Sequence, residues 1–144
     1  MSDTIYTTTA TSWGGRDGKV ATEDGRLTAD LSMPKALGGN DGQGTNPEQL
    51  FAAGYAACFH SGMRLVAGAK KIDVRESVVS VTVSMVGSLA EGKLGLAARI
   101  EAQLPGVDHE AARELLEATH QVCPYSHATR GNIPVELIVV EDAA

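Results

Sequence analysis

The residues of this chain with the widest chemical range are Cys58 and Cys123, its only two cysteines. A thiol is a nucleophile or a metal ligand only as the thiolate, and with an ordinary pKa of about 8.5 a few per cent is ionised at neutral pH. Each unit of lowering needs about 1.4 kcal/mol of preferential stabilisation of the anion. Cys58 falls in the middle of an apolar stretch that reads as helix, where the helix dipole contributes little. A cation must therefore come to it if it is to react, and the candidates are Arg16, His60, Arg64, His120, His127 and Arg130. His60, two residues on, faces elsewhere on a helix and is expected to be a hydrogen-bonded structural histidine. Cys123 precedes Pro124 where a second helix should end, a re-orientable place. Reactive and polar side chains crowd it: His120, Tyr125, Ser126, His127, Thr129 and Arg130.

Several chemistries are open to this set. Both cysteines can be small buried hydrophobes, as most free cysteines are, in a non-catalytic interaction module. His120, Cys123, His127 and Cys58 can be assembled into a zinc site, although no paired CxxC spacing supports it. Cys58 with His120 or His127 can be a nucleophile and base for acyl transfer, which leaves Cys123 without a task. Or the two sulfurs can be a redox pair.

The elements that must position these residues follow from pattern. Ile5 to Trp13 is rich in Thr and β-branched residues; Gly14-Gly15-Arg16-Asp17-Gly18 is a turn; Val20 to Glu23 and Arg26 to Leu31 flank the hairpin dipeptide Asp24-Gly25. Met33 to Thr45, with Pro34 and four glycines, is a loop long enough for a functional role. Asn46-Pro47-Glu48-Gln49 is a helix start: Asn46 caps, Pro47 suits the first position and Gln49 can close a capping box. That helix should run to about Lys71, with Leu50, Phe51, Tyr55, Cys58, Gly62, Leu65 and Val66 at helical spacing. It is apolar nearly all round, as a buried helix is, which in so small a chain suggests a partner subunit on one side. Val79 to Met85 and Leu94 to Leu104 alternate as half-buried strands. Asp108 caps a second helix through about Val122, and Ile133 to Val139 is a last strand. Three strands, a long helix, two strands, a helix and a strand make an α+β fold.

With 144 residues, 43% hydrophobic and 21% charged, the chain is expected to form a single domain, residues 1–144, without metal or disulfide staples. A net charge of −6 argues against a nucleic-acid partner, which needs a basic patch. No apolar run approaches the roughly 18 residues of a membrane helix, and no basic-apolar leader is visible. The expected compartment is the cytoplasm, without a membrane partner. Thiols are kept reduced there, so a permanent structural disulfide is not expected and a transient catalytic one is allowed.

The run from Asn46 through Pro-Glu-Gln-Leu-Phe-Ala-Ala-Gly-Tyr-Ala-Ala to Cys58 resembles the signature of the organic hydroperoxide resistance proteins, which form one superfamily with the osmotically inducible proteins. Cys123-Pro-Tyr-Ser-His-Ala-Thr-Arg-Gly-Asn132 resembles their second-cysteine motif, and the Gly14-Gly15-Arg16 turn fits as well, so the similarity spans the chain. His127 departs from the Asn common in the hydroperoxide branch. Tyr125 and Arg130-Gly131-Asn132 look like that branch rather than the osmotically inducible one, whose broader peroxide specificity is the alternative. The resemblance implies a peroxidase acting on organic hydroperoxides. Cys58 matches the peroxidatic cysteine, Cys123 the resolving cysteine, Arg16 the thiolate-stabilising arginine and Glu48 the carboxylate that orients it. It implies a Cys58–Cys123 disulfide reopened by a dithiol such as dihydrolipoamide on a lipoylated protein, and no metal, haem or flavin. Glu48 and Cys58 are separated by about 15 Å along one helix at 1.5 Å per residue. Glu48 is therefore expected to serve a partner's Cys58 in an intertwined homodimer of antiparallel helices. Phe51, Tyr55, Met63 and the Met33 to Leu37 loop are apolar surface for a substrate pocket, or else core and interface.

Overall fold

The computed structural model describes residues 3–141. It is a mixed α+β fold, and its contacts divide it after Leu50 into two units.

In the first unit, strands β1 (Ala10–Trp13), β2 (Lys19–Thr22) and β3 (Thr28–Asp30) form an antiparallel sheet in that order. The β1–β2 connection is a glycine turn around a short 3₁₀ segment, Gly15–Asp17. Gly14 and Gly15 have φ of 82° and 60°, a region that favours glycine, and a Cβ on Gly18 would collide with the Trp13 carbonyl. Arg16 is thereby carried at the tip of a tight hairpin. The strands are shorter than their β-rich composition suggests. Thr22 closes the second turn by bonding to Leu27 and Asp24, which takes Arg26 and Leu27 out of β3; β1 pairs only where β2 lies opposite. The long loop holds a 3₁₀ turn, Lys35–Leu37, and returns to pair Thr45 with Leu31. No residue of β1, β2 or β3 is buried, and Trp13 stays 51% exposed.

Helix α1 (Pro47–Lys70) leads from the first unit into the second. The Asn46 side chain accepts a bond from the Gln49 N–H at 2.8 Å, as expected of a cap. The expected capping box does not close: the Gln49 Oε1 accepts from the Thr45 hydroxyl instead. The stripe that α1 buries is Tyr55, Phe59, Met63 and Ala67, every fourth residue. Leu65, expected on the apolar face, is 75% exposed. With apolar side chains on every face, spacing alone did not single out the packed one; the two large rings did, by filling the most space.

In the second unit, β4 (Val78–Ser88) and β5 (Lys93–Gln103) form a long antiparallel hairpin, and β6 (Val135–Val140) lies parallel to β5 along Ala98–Gln103. The parallel pairing needs a crossover, supplied by α2 (His109–Val122) and a short α3 (Pro124–Thr129). Asp108 caps α2 by accepting from the Ala111 N–H. Helix α3 was not expected: Pro124 reads as a terminator, yet it is also suited to a first helical position, and here it ends one helix and starts the next. The last strand begins at Val135 rather than Ile133, because the Ile133 N–H is spent on the carbonyl of Thr129. The α1 stripe packs with Ile100, Ala102, Leu104, Leu115, Leu116 and Cys123 in one core.

Phe59 is wholly buried at the centre of that stripe. Replacing it with Ala should lower the unfolding free energy by about 3–5 kcal/mol, read as a fall in the urea midpoint with unchanged slope.

Candidate active site

Cys58 projects from α1 beside the buried stripe and is partly buried; Cys123, at the junction of α2 and α3, is wholly buried. Their sulfurs are 3.5 Å apart, both as free thiols. A disulfide bond is about 2.05 Å long, so closing one asks for a modest approach rather than a rearrangement of distant segments. Cys123 lies where the second helix ends, as its place before proline suggested. It is the C-cap of α2 and the N-cap of α3 at once, with an extended backbone.

Burial pushes the Cys58 thiol above its ordinary value; the backbone N–H of Tyr125 opposes this, and Cys123 adds to the rise. The nearby histidines are turned to other partners. His60 Nε2 meets the Ser77 hydroxyl at 2.9 Å, the structural role expected of it, and burial, with Arg64, holds its pKa down. His120 Nδ1 meets the Ser126 hydroxyl at 2.7 Å; burial lowers its pKa, with Arg130 adding and Glu117 opposing. Arg130 donates to the His120 carbonyl and to His127 Nδ1. Among the described residues neither imidazole is hydrogen-bonded to Cys58, so the nucleophile–base pair needed for acyl transfer is not formed. Among the described residues no group of three or more His, Cys, Asp or Glu side chains could hold a metal ion.

In the first unit Arg16 and Glu48 form a two-pronged ion pair: Nη1 donates to Oε1 at 2.7 Å and Nη2 to Oε2 at 2.9 Å. Glu48 belongs to the first turn of α1, where a carboxylate is favoured. Its hydrogen bonds from Arg16 hold its pKa below the usual range despite some burial, and Glu48 in turn raises that of Arg16. The pair forms within one chain, so any partner that received Glu48 would receive Arg16 with it.

Of the apolar candidates, Tyr55 and Met63 are wholly buried and belong to the core. Phe51 stacks on Tyr125, with ring centroids 6.1 Å apart, and Tyr125 remains 39% exposed. Gly54 leaves room for that ring: a Cβ there would come within 2.8 Å of the Tyr125 hydroxyl. Tyr55, Ser126 and Thr129 are joined by buried hydrogen bonds that spacing along the chain did not announce.

A family model described as OsmC-like protein matches residues 38–138. The chain is 47% identical over 133 residues to an organic hydroperoxide resistance protein of Xanthomonas axonopodis pv. citri, covering 92% of this chain and 93% of the relative. It is 43% identical over 139 residues to organic hydroperoxide resistance protein-like 2 of Staphylococcus epidermidis, covering 96% and 98%. The crystal structure of an organic hydroperoxide resistance protein from Elizabethkingia anophelis superposes with a TM-score of 0.90 at 46% identity, covering 98% of this chain and all of that one.

The Arg16–Glu48 pair makes a pH-dependent contribution of known sign. The folded carboxylate pKa is depressed, so its stabilisation is present above the unfolded value of about 4.3 and is lost as pH falls through the lower folded value. Glu48→Gln should cost about 1 kcal/mol or less at pH 7, given the partial exposure of the pair. Urea titrations of both proteins should show that difference shrinking toward zero at acid pH.

Proposed function

The chain belongs to the OsmC-like family, beside the organic hydroperoxide resistance proteins, and on that premise we propose that it is a thiol peroxidase reducing organic hydroperoxides to alcohols. The observation that carries this reading is the 3.5 Å approach of the chain's two thiols. The Cys58 thiolate attacks the terminal oxygen of the hydroperoxide. An S–O bond forms, the O–O bond breaks, and the alkoxide leaves as alcohol after taking a proton. Cys58 is then a sulfenic acid. The Cys123 sulfur attacks it, the S–S bond forms and water leaves, which stops further oxidation of Cys58. An external dithiol of the lipoyl type reduces the disulfide and itself closes to a cyclic disulfide. Catalysis in this scheme uses the protein's own sulfurs. The proposed setting is the cytoplasm, where dithiol reductants are maintained. Among the described residues no helix is long and apolar enough to cross a membrane.

Burial raises the Cys58 pKa, so the scheme needs a cation, and we assign that part to Arg16, oriented by Glu48. Glu48 is displaced from Cys58 by about 15 Å along α1. The assignment is therefore made across an intertwined homodimer, in which two α1 helices run antiparallel and the intact Arg16–Glu48 pair of one chain serves Cys58 of the other. Two observations favour a second copy as the occupant of the open surface. Helix α1 leaves apolar residues such as Leu65 exposed outside its single buried stripe, and the β1–β3 sheet buries no side chain. A three-stranded sheet needs a covered apolar face to be stable.

A turnover assay tests the function. An alkyl hydroperoxide should be consumed faster than hydrogen peroxide, and dihydrolipoamide should sustain turnover where thioredoxin and glutathione do not. Cys58→Ser should abolish consumption. Cys123→Ser should retain one rapid turnover and accumulate a dimedone-reactive sulfenic acid. Inertness of the wild type toward every hydroperoxide would overturn the assignment. Sedimentation should give a dimer at micromolar concentration; a stable, fully active monomer would overturn the shared site.

A further inference from the structure

A set of hydrogen bonds, buried except at its partly exposed His120 end, lies beside the two cysteines and takes no part in the scheme above. His120 Nδ1 meets Ser126 Oγ at 2.7 Å, Ser126 Oγ meets Tyr55 Oη at 2.8 Å, Tyr55 Oη meets Thr129 Oγ1 at 3.1 Å, and the Thr129 hydroxyl donates to the Ser126 carbonyl at 3.1 Å. Tyr55 and Ser126 are wholly buried and Thr129 is 2% exposed, so bulk water does not complete the bonds among these three hydroxyls.

The protons can be counted. The four contacts need one proton each, and the four groups supply one each: the His120 ring N–H and the hydroxyls of Ser126, Tyr55 and Thr129. The set ends on a carbonyl, which only accepts. The Thr129 proton is therefore spent there, and Thr129 Oγ1 must accept from Tyr55. Tyr55 Oη in turn accepts from Ser126, and Ser126 Oγ accepts from His120. The opposite direction would leave Thr129 Oγ1 and the Ser126 carbonyl facing each other with no proton between them. Only one direction satisfies every contact, and it requires the Nδ1–H form of His120.

The placement of these groups has a further regularity. Tyr55 is three residues before Cys58 on α1, His120 three before Cys123 on α2, and Ser126 three after Cys123 on α3. Residues three apart on a helix share a face, so Tyr55 and His120 anchor the faces of α1 and α2 that carry the two sulfurs. The His120–Ser126 bond ties the helices on either side of Cys123 to each other, and the Ser126–Tyr55 bond ties both to the helix of Cys58. Arg130, donating to the His120 carbonyl at 2.6 Å, adds a second tie between the end of α3 and the end of α2.

We propose that this one-way chain, His120 to Ser126 to Tyr55 to Thr129, is the positioning device that holds Cys123 against Cys58, with His120 locked as the Nδ1–H tautomer. These are positioning residues; none is assigned contact with substrate. The consequence for turnover rests on the peroxidase reading, whereas the consequence for the thiol pair does not.

Two measurements test it. At pH 8, where the imidazole is neutral, nitrogen NMR should show His120 with a pyrrole-type Nδ1 and a pyridine-type Nε2; the reverse assignment would overturn the direction of the chain. Equilibration with oxidised and reduced dithiothreitol should show the Cys58–Cys123 disulfide about tenfold easier to reduce in Ser126→Ala and Tyr55→Phe, each of which removes an oxygen that makes two of the four contacts. His120→Asn, which keeps a donor at the Nδ position, should stay near the wild type. Tyr55→Phe removes one oxygen and keeps the ring, so it carries the test if Ser126→Ala does not fold. Disulfide equilibria within twofold of wild type in the folded variants would overturn the proposal. The redox buffer requires no peroxidase activity. Inertness toward hydroperoxides would thus remove the functional reading alone, and full turnover with unperturbed variants would remove this one alone.

Discussion

Two sulfur atoms in contact across a helix junction are the constraint around which the second unit is built. Cys58 and Cys123 are separated by 65 positions in sequence and by 3.5 Å in space. The approach depends on the Tyr55–Phe59–Met63–Ala67 stripe, which seats α1 in the core and turns Cys58 toward the α2–α3 junction. It depends equally on Pro124, which breaks one helix and begins another and so leaves Cys123 in an extended backbone between them. A continuous helix through residue 123 would carry the sulfur on a regular face with no such corner. Packing chooses the face, and the proline makes the corner.

The same burial that brings the sulfurs together works against ionising one of them. Apolar surroundings penalise the thiolate, and the Tyr125 N–H only partly offsets this. The chain holds a well-formed cation in the Arg16–Glu48 pair, whose two parallel bonds suit a guanidinium–carboxylate geometry. Glu48 holds that guanidinium by two bonds, and the same bonds from Arg16 keep the Glu48 carboxyl below its usual pKa range. In the proposed homodimer a second copy would cover the exposed sheet and the open faces of α1, and would bring the charge of one chain to the sulfur of another. Under that proposal nucleophile activation and assembly would be one problem rather than two.

Much of this was legible from residue types. The alternation from Val79 to Met85 and from Leu94 to Leu104 set the β4–β5 hairpin, and Asn46-Pro47 marked the start of α1. His60 was readable as structural from its two-residue offset alone. What could not be read has physical causes. Helix α1 is apolar on every face, so spacing did not reveal that Phe59 and Met63, rather than Leu65, would be packed. Helix α3 is six residues long, too short for a periodic signal. The Tyr55–Ser126 and Tyr55–Thr129 bonds join residues 71 and 74 positions apart, and only the tertiary fold makes them neighbours. The second-cysteine histidine that differs from the family pattern, His127, turns its side chain to Arg130, whose guanidinium donates to its Nδ1.

The account stands most directly on where oxidation takes the two thiols. Treating the reduced protein with a single equivalent of cumene hydroperoxide and mapping its peptides without reduction gives the answer. The account predicts one mole of cumyl alcohol per chain, loss of both free thiols, and a linked pair of peptides carrying Cys58 and Cys123 of the same chain. Recovery of both thiols unmodified, or a Cys58 that passes to sulfinic acid while Cys123 stays reduced, would contradict it.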